Sequence, residues 1–146
     1  MYSVVKTLHS YWAYLVLIIL IIAAVNAIVK TVGDKEYEAN DFRKSLFTLI
    51  VSHIQLLIGL ILYVVSPRLQ LFSELGMGGV MKDAVNRLYL VEHPFVNILA
   101  VALITIGYSK HKKKLTSKAK LKTIAIFYTI ALLLFLSRIP WSDWIG

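Results

Sequence analysis

The sequence predicts an all-α integral membrane protein, a single domain of four helices in an up-down bundle. Three observations predict it. The 146 residues are 58% hydrophobic with a mean hydropathy of +0.72, far from the average composition of a soluble domain. Four apolar runs lie at about residues 8–29, 45–65, 88–109 and 121–139. As helices rising ~1.5 Å per residue, each approaches or spans the ~30 Å apolar core of a bilayer. The connections between them are polar, and one holds seven of the sixteen basic residues within residues 110–122.

The first run, LHSYWAYLVLIILIIAAVNAIV, follows a single Lys6. It exceeds the ~7–15 residue apolar region of a cleaved signal peptide, so it is expected to be retained as a transmembrane helix. It ends at Lys30, and residues 31–44 alternate acids and bases around Gly33 and Asn40, as a short solvated loop does. The second run, SLFTLIVSHIQLLIGLILYVV, stops at Ser66-Pro67, because proline cannot continue a helix. Within it Ser45, Thr48, Ser52, Gln55 and Gly59 recur every three or four residues. That spacing makes one face of small and polar groups, which lets neighbouring backbones approach. His53 sits ~100° round from Ser52, at the edge of this stripe.

Residues 68–88 form the longest connection, with GMGG at residues 76–79, and are where access to a site is expected. The MKDAVNRLYL that follows either starts the third helix early or lies along the interface. The third run carries Glu92 and His93 in its first turns, and ionisable groups in hydrocarbon need partners. After the lysine-rich loop the fourth run ends at Pro140-Trp141, with Trp144 beyond, as an interfacial anchor would.

Counting bases sets the expected orientation. The first and third loops hold eleven, whereas the termini and the second loop hold five, so the positive-inside rule places both termini outside, periplasmic in a bacterium. The lysine run reads as a cytoplasmic loop near anionic lipid rather than a nucleic-acid surface. An antiparallel bundle then sets the first helix diagonal to the third and the second diagonal to the fourth. With no cysteine, disulfides, thiolate metal sites and covalent c-type haem attachment are excluded.

Of four histidines, His111 lies among the lysines and is expected to be solvated. His9, His53 and His93 each belong to a different apolar run, and three on one small bundle point to a shared function. Two axial imidazoles must reach opposite sides of a planar haem at similar depth. His93 is ~7 Å inside the outer end of its helix and His53 ~18 Å inside its own. His9 stands at the outer end of its run and comes level with His93 if that helix starts a turn earlier or tilts. The first pair is therefore His9 with His93, on diagonal helices, and the second His53 with His93. Asn97 lies one turn below His93 on the same face, and Ala100, Ile104 and Gly107 or Tyr108 continue that face with room for a ligand. Arg138 and Arg87, at the outer ends of the fourth and third helices, are candidates to pair with haem propionates or to reach the headgroups. Glu92 either orients His93 or faces water.

At these residues the chain resembles a family. LHSYW with His9, SHIQLLIGLILY with His53, EHPFVNILAVALITIGYSK with His93 and the closing RIPW with Arg138 resemble small four-helix bacterial membrane proteins labelled "cytochrome b-like". The resemblance covers nearly the whole chain and implies a haem-binding bundle. In that family the first motif usually carries arginine before tryptophan, where this chain has Tyr11 before Trp12. A looser likeness, of architecture alone, is to the haem-holding halves of haem A synthase and to diheme b-type cytochromes.

Three functions follow as expectations. The first is a b-type cytochrome of the bacterial inner membrane, with one non-covalent haem b between two of His9, His53 and His93, passing electrons between a quinol and a partner such as a larger respiratory complex. The second is a non-redox accessory or assembly subunit whose histidines bond between helices. The third is a zinc or copper site using all three imidazoles at one depth. A stand-alone enzyme has little support, since the chain has no Gly-rich phosphate loop, nucleophile elbow or HExxH. Gly59 and Gly107 suit close packing within the bundle or between copies in a homo-oligomer.

Overall fold

A computed structural model describes residues 1–144. Four long helices, α1 (Tyr2–Val32), α2 (Ala39–Val65), α4 (Ala84–Lys113) and α5 (Ser117–Ser137), are each long and apolar enough to cross a membrane. A 3-10 turn at Pro67–Gln70 and a helix α3 (Leu71–Lys82) lie between α2 and α4, and a single turn α6 (Trp141–Trp144) follows α5. Adjacent pairs are α1 with α2, α2 with α4, α4 with α5 and α5 with α1, leaving α1 diagonal to α4 and α2 diagonal to α5. The bundle thus has a basic end, with the loops at residues 33–38 and 114–116, and a terminal end carrying the start of α1 and the turn α6.

Local chemistry explains the boundaries. α1 closes at Gly33 with Lys30 in its last turn, where a cation complements the helix dipole, and Asp34 takes the left-handed conformation (φ 51°) that a short polar side chain tolerates. α2 opens with the backbone N–H of Glu38 donating to the Asp41 carboxylate at 2.8 Å. Asp83 caps α4 by accepting from the Val85 N–H, and Thr116 caps α5 by accepting from the Ala119 N–H, each at 3.1 Å. The expected long loop is instead mostly helical, with α3 bent at Gly76 (φ 70°), a conformation glycine adopts without steric cost.

The centre is built from small residues and interdigitating side chains. Ala23, Ala24 and Ala27 of α1, Ser45, Thr48 and Ser52 of α2, Ala100 and Ile104 of α4, and Tyr128 and Ala131 of α5 are buried. The α2 stripe faces inward, and its three hydroxyls donate to carbonyls of their own helix, so none is left unpartnered. Tyr128 crosses the diagonal to donate to the Ser45 carbonyl at 2.8 Å, and the Trp12 indole donates to the Val51 carbonyl at 2.8 Å. Only 17% to 28% of each apolar window is buried, which leaves Ile18, Ile22, Leu57, Ile61, Ile126 and Leu133 facing outward, as lipid-facing positions do.

Two polar clusters close the basic end. The Asp41 carboxylate is 4% exposed and accepts from Lys30 Nζ at 2.6 Å and Asn26 Nδ2 at 2.7 Å. His111, expected to be solvated, is fully buried. One residue is ~100° of helix, so its neighbours Lys110 and Lys112 point to solvent while His111 points to the bundle axis. Its Nδ1 donates to the Tyr108 carbonyl at 2.5 Å, leaving Nε2 to accept from the Tyr37 hydroxyl at 2.9 Å. Burial, with the nearby Asp41 carboxylate, pushes the Tyr37 hydroxyl up to about 12, so it remains a donor at neutral pH.

Candidate functional site

His9 of α1 and His93 of α4 face one another across the diagonal, with ring centroids 6.2 Å apart and planes at 84°. They come level because α1 begins at Tyr2, six residues before the apolar run read from the sequence, so His9 is two turns inside its helix. His53 stands apart. Its side chain is exposed on α2, with Nδ1 2.8 Å from the Leu49 carbonyl and Nε2 3.3 Å from Thr105 Oγ1. The three imidazoles therefore do not converge, and among the described residues no group of three or more His, Cys, Asp or Glu is placed to hold a metal ion.

Each facing histidine is held by its backbone surroundings. His93 Nδ1 donates to the Arg138 carbonyl at the end of α5 at 2.8 Å. A carbonyl only accepts, so the proton belongs on Nδ1 and Nε2 carries the lone pair. Asn97, one turn on, brings Nδ2 to 3.0 Å from that Nε2 while its Oδ1 is buried without a partner. The His9 ring lies against Gly59, where a Cβ would stand 3.1 Å from its Cε1, and its backbone carbonyl accepts from Gln55 Nε2 at 2.9 Å. His9 Nδ1 and Gln55 Oε1 are also buried without a hydrogen-bond partner among the described residues. An orphaned buried polar atom costs ~1–3 kcal/mol, and these three belong to residues from three helices that meet at one place.

That place is a cavity of about 730 Å³, within the ~300–1,000 Å³ of small-molecule and cofactor sites. Val16, Leu17, Leu56, Val101 and Phe135 give it an apolar wall. Toward the terminal end it is lined by Lys6, Arg68, Tyr89 and Asp143. The room expected along Ala100, Ile104 and Gly107 is not where the cavity lies: the first two are fully buried core, and Gly107 is backed by the Phe127 side chain. The face of α4 that opens on the cavity runs instead from His93 through Asn97 and Ile98 to Val101.

Pro94 explains how α4 presents His93. Proline has no N–H to give the carbonyl four residues back, and its ring crowds that carbonyl, so the helix widens into a π turn at Leu88–Glu92. The carbonyl so freed belongs to Leu90, and the Tyr63 hydroxyl of α2 donates to it at 2.9 Å. The sequence signal was the His-Pro pair; its partner on α2 had none.

Arg87 and Arg138 both turn to Glu92, at 3.0 and 3.8 Å, and neither lines the cavity. Glu92 is thus paired rather than bonded to His93. The C-terminal turn crosses the cavity mouth: Trp144 stacks on Tyr14 at 4.6 Å between ring centroids, and Asp143 accepts from the Tyr89 hydroxyl.

The spacing of the two rings is that of imidazoles with one metal between them. Imidazole nitrogens bind metals at ~2.0–2.1 Å, so rings on opposite sides of one metal have centroids ~6 Å apart, close to what His9 and His93 show. No protein-family model, curated protein or solved structure matches this chain.

Proposed function

We propose that this chain is a b-type cytochrome holding one non-covalent haem, as the "cytochrome b-like" resemblance implies, between His9 and His93, and that it lies in the bacterial inner membrane with both termini periplasmic, as its distribution of basic residues predicts. The carrying observation is the pair of level, facing rings at 6.2 Å over a cavity with unsatisfied polar atoms. Bound haem supplies a one-electron carrier. The chain supplies its ligands and surroundings: His93 is oriented through Nδ1 by the Arg138 carbonyl, and the apolar wall excludes water. Asn97 Nδ2, now at that Nε2, would give up the contact if the lone pair were to hold a metal. A quinol and a larger respiratory complex are the electron partners we propose.

The test is an oxidised and dithionite-reduced visible spectrum of detergent-purified protein, with a pyridine haemochrome assay for stoichiometry. Sharp reduced bands, lost in His9→Ala and His93→Ala and kept in His53→Ala, are expected. A protein that stays colourless at full haem supply overturns the reading and leaves an accessory subunit, to be pursued through its co-purifying partners.

A further inference from the structure

We propose that Lys6 and Arg68 bind carboxylates of the cavity's ligand, so that it lies with its acidic edge toward the terminal end. This rests on the haem reading and names the feature of the ligand that the chain selects. Arg87 and Arg138, which from the sequence are candidates either to pair with propionates or to reach the headgroups, are paired with Glu92. Lys6 and Arg68 both line the cavity, and neither forms a salt bridge with a carboxylate among the described residues.

Their height is right for this role. Lys6 precedes His9 by three residues and Tyr89 precedes His93 by four, so each stands ~4.5–6 Å from its histidine along the helix, toward the terminal end. The Arg68 guanidinium stacks on Tyr89, 4.1 Å from the ring centroid, which fixes it at that same level from the opposite wall. Its Nη1 donates to Asn86 Oδ1 at 3.0 Å, and a guanidinium with five N–H groups retains donors for a bidentate carboxylate. Asp143 also lines this mouth and engages the Tyr89 hydroxyl, so the two cations outnumber one carboxylate where the acidic edge is placed. Beyond the histidines the wall carries no charge, with Ser52 and Asn97 set among Val16, Leu17, Val101 and Phe135, the complement of a ligand that is charged along one edge only.

The experiment titrates the full chain, purified without haem in detergent, with protohaem or with its dimethyl ester, which has the same ring and metal but no free carboxylate. The readout is the Soret band of the bis-histidine complex. The wild type is expected to take the free acid roughly tenfold more tightly or better, a factor that charge-assisted hydrogen bonds supply. Arg68→Gln and Lys6→Gln each shrink that preference, Arg68→Lys retains it, and Arg87→Gln leaves it whole. Equal binding of acid and ester by the wild type overturns the inference while leaving the haem reading intact. So does a preference lost in Arg87→Gln and kept in Arg68→Gln. If neither compound gives a bis-histidine spectrum, it is the haem reading that fails. The wild-type comparison needs no variant, so a poorly folding substitution does not blunt the test.

Discussion

Single side chains in this bundle matter most where they satisfy a polar group that would otherwise be buried alone. Tyr63 donates to the Leu90 carbonyl that Pro94 leaves free. Removing that hydroxyl alone, in Tyr63→Phe, is expected to destabilise the protein by about 1–3 kcal/mol, measured by thermal or denaturant unfolding in detergent. It is also expected to reduce retention of the proposed haem, since His93 adjoins the same π turn. An unchanged unfolding midpoint would mean that water or a shift of α4 satisfies the carbonyl instead. Lys30 is the second case. Its loss in Lys30→Met strands the nearly buried Asp41, and a broken buried pair costs about 3–5 kcal/mol. The double variant Lys30→Met with Asp41→Asn is expected to recover most of that, because no buried charge is then left unpaired, Glu38 losing only an exposed bridge. His111 shows how far a residue can stand from its sequence surroundings: lysines flank it along the chain, and Tyr37, Phe42 and Tyr108 surround it in space.

The helices behave as surfaces with a small face and a large one. Gly107 lets α4 approach α5 until a Cβ would collide with the Phe127 side chain. Gly107→Leu is therefore expected to cost about 1–3 kcal/mol or more through overpacking, read as a lower unfolding temperature. Retention of wild-type stability would show that Phe127 has another rotamer open to it. The inward stripe on α2 was legible from spacing alone, because helical periodicity is a property of the local chain. Which helices that stripe meets was not. Ser45 and Ser52 serve the core, whereas Gln55 and Gly59 meet His9, although all four lie on one continuous face. The start of α1 was hidden for a different reason: Ser3, Lys6 and Thr7 lower hydropathy without breaking a helix, so the apolar run is shorter than the helix.

At the scale of the whole molecule, the two ends have different tasks. The basic end is tied shut by the Asp41 and His111 clusters, while the terminal end opens into the cavity. The proposed orientation makes the terminal end periplasmic and is tested directly, because the chain has no cysteine to confuse labelling. Single substitutions Ser3→Cys and Lys113→Cys are expected to react with an impermeant maleimide in intact spheroplasts and only after permeabilisation, respectively. The opposite pattern would invert the bundle and move the cavity mouth to the cytoplasm.

By itself the sequence determined that four helices are apolar enough to span a membrane, that small residues line one face of α2, and that His9 and His93 belong to diagonal helices. These follow from composition, periodicity and the order of short connections, which are local quantities. Only the tertiary structure decided that His9 and His93 are level, that His53 stands outside, that Arg87 and Arg138 are committed to Glu92, and that Lys6 and Arg68 reach the cavity instead. The physical reason is that a residue's partners depend on helix start, rotation and depth. A shift of one residue turns a side chain by ~100° and moves it ~1.5 Å, enough to exchange lipid for core, and hydropathy along the chain does not fix either.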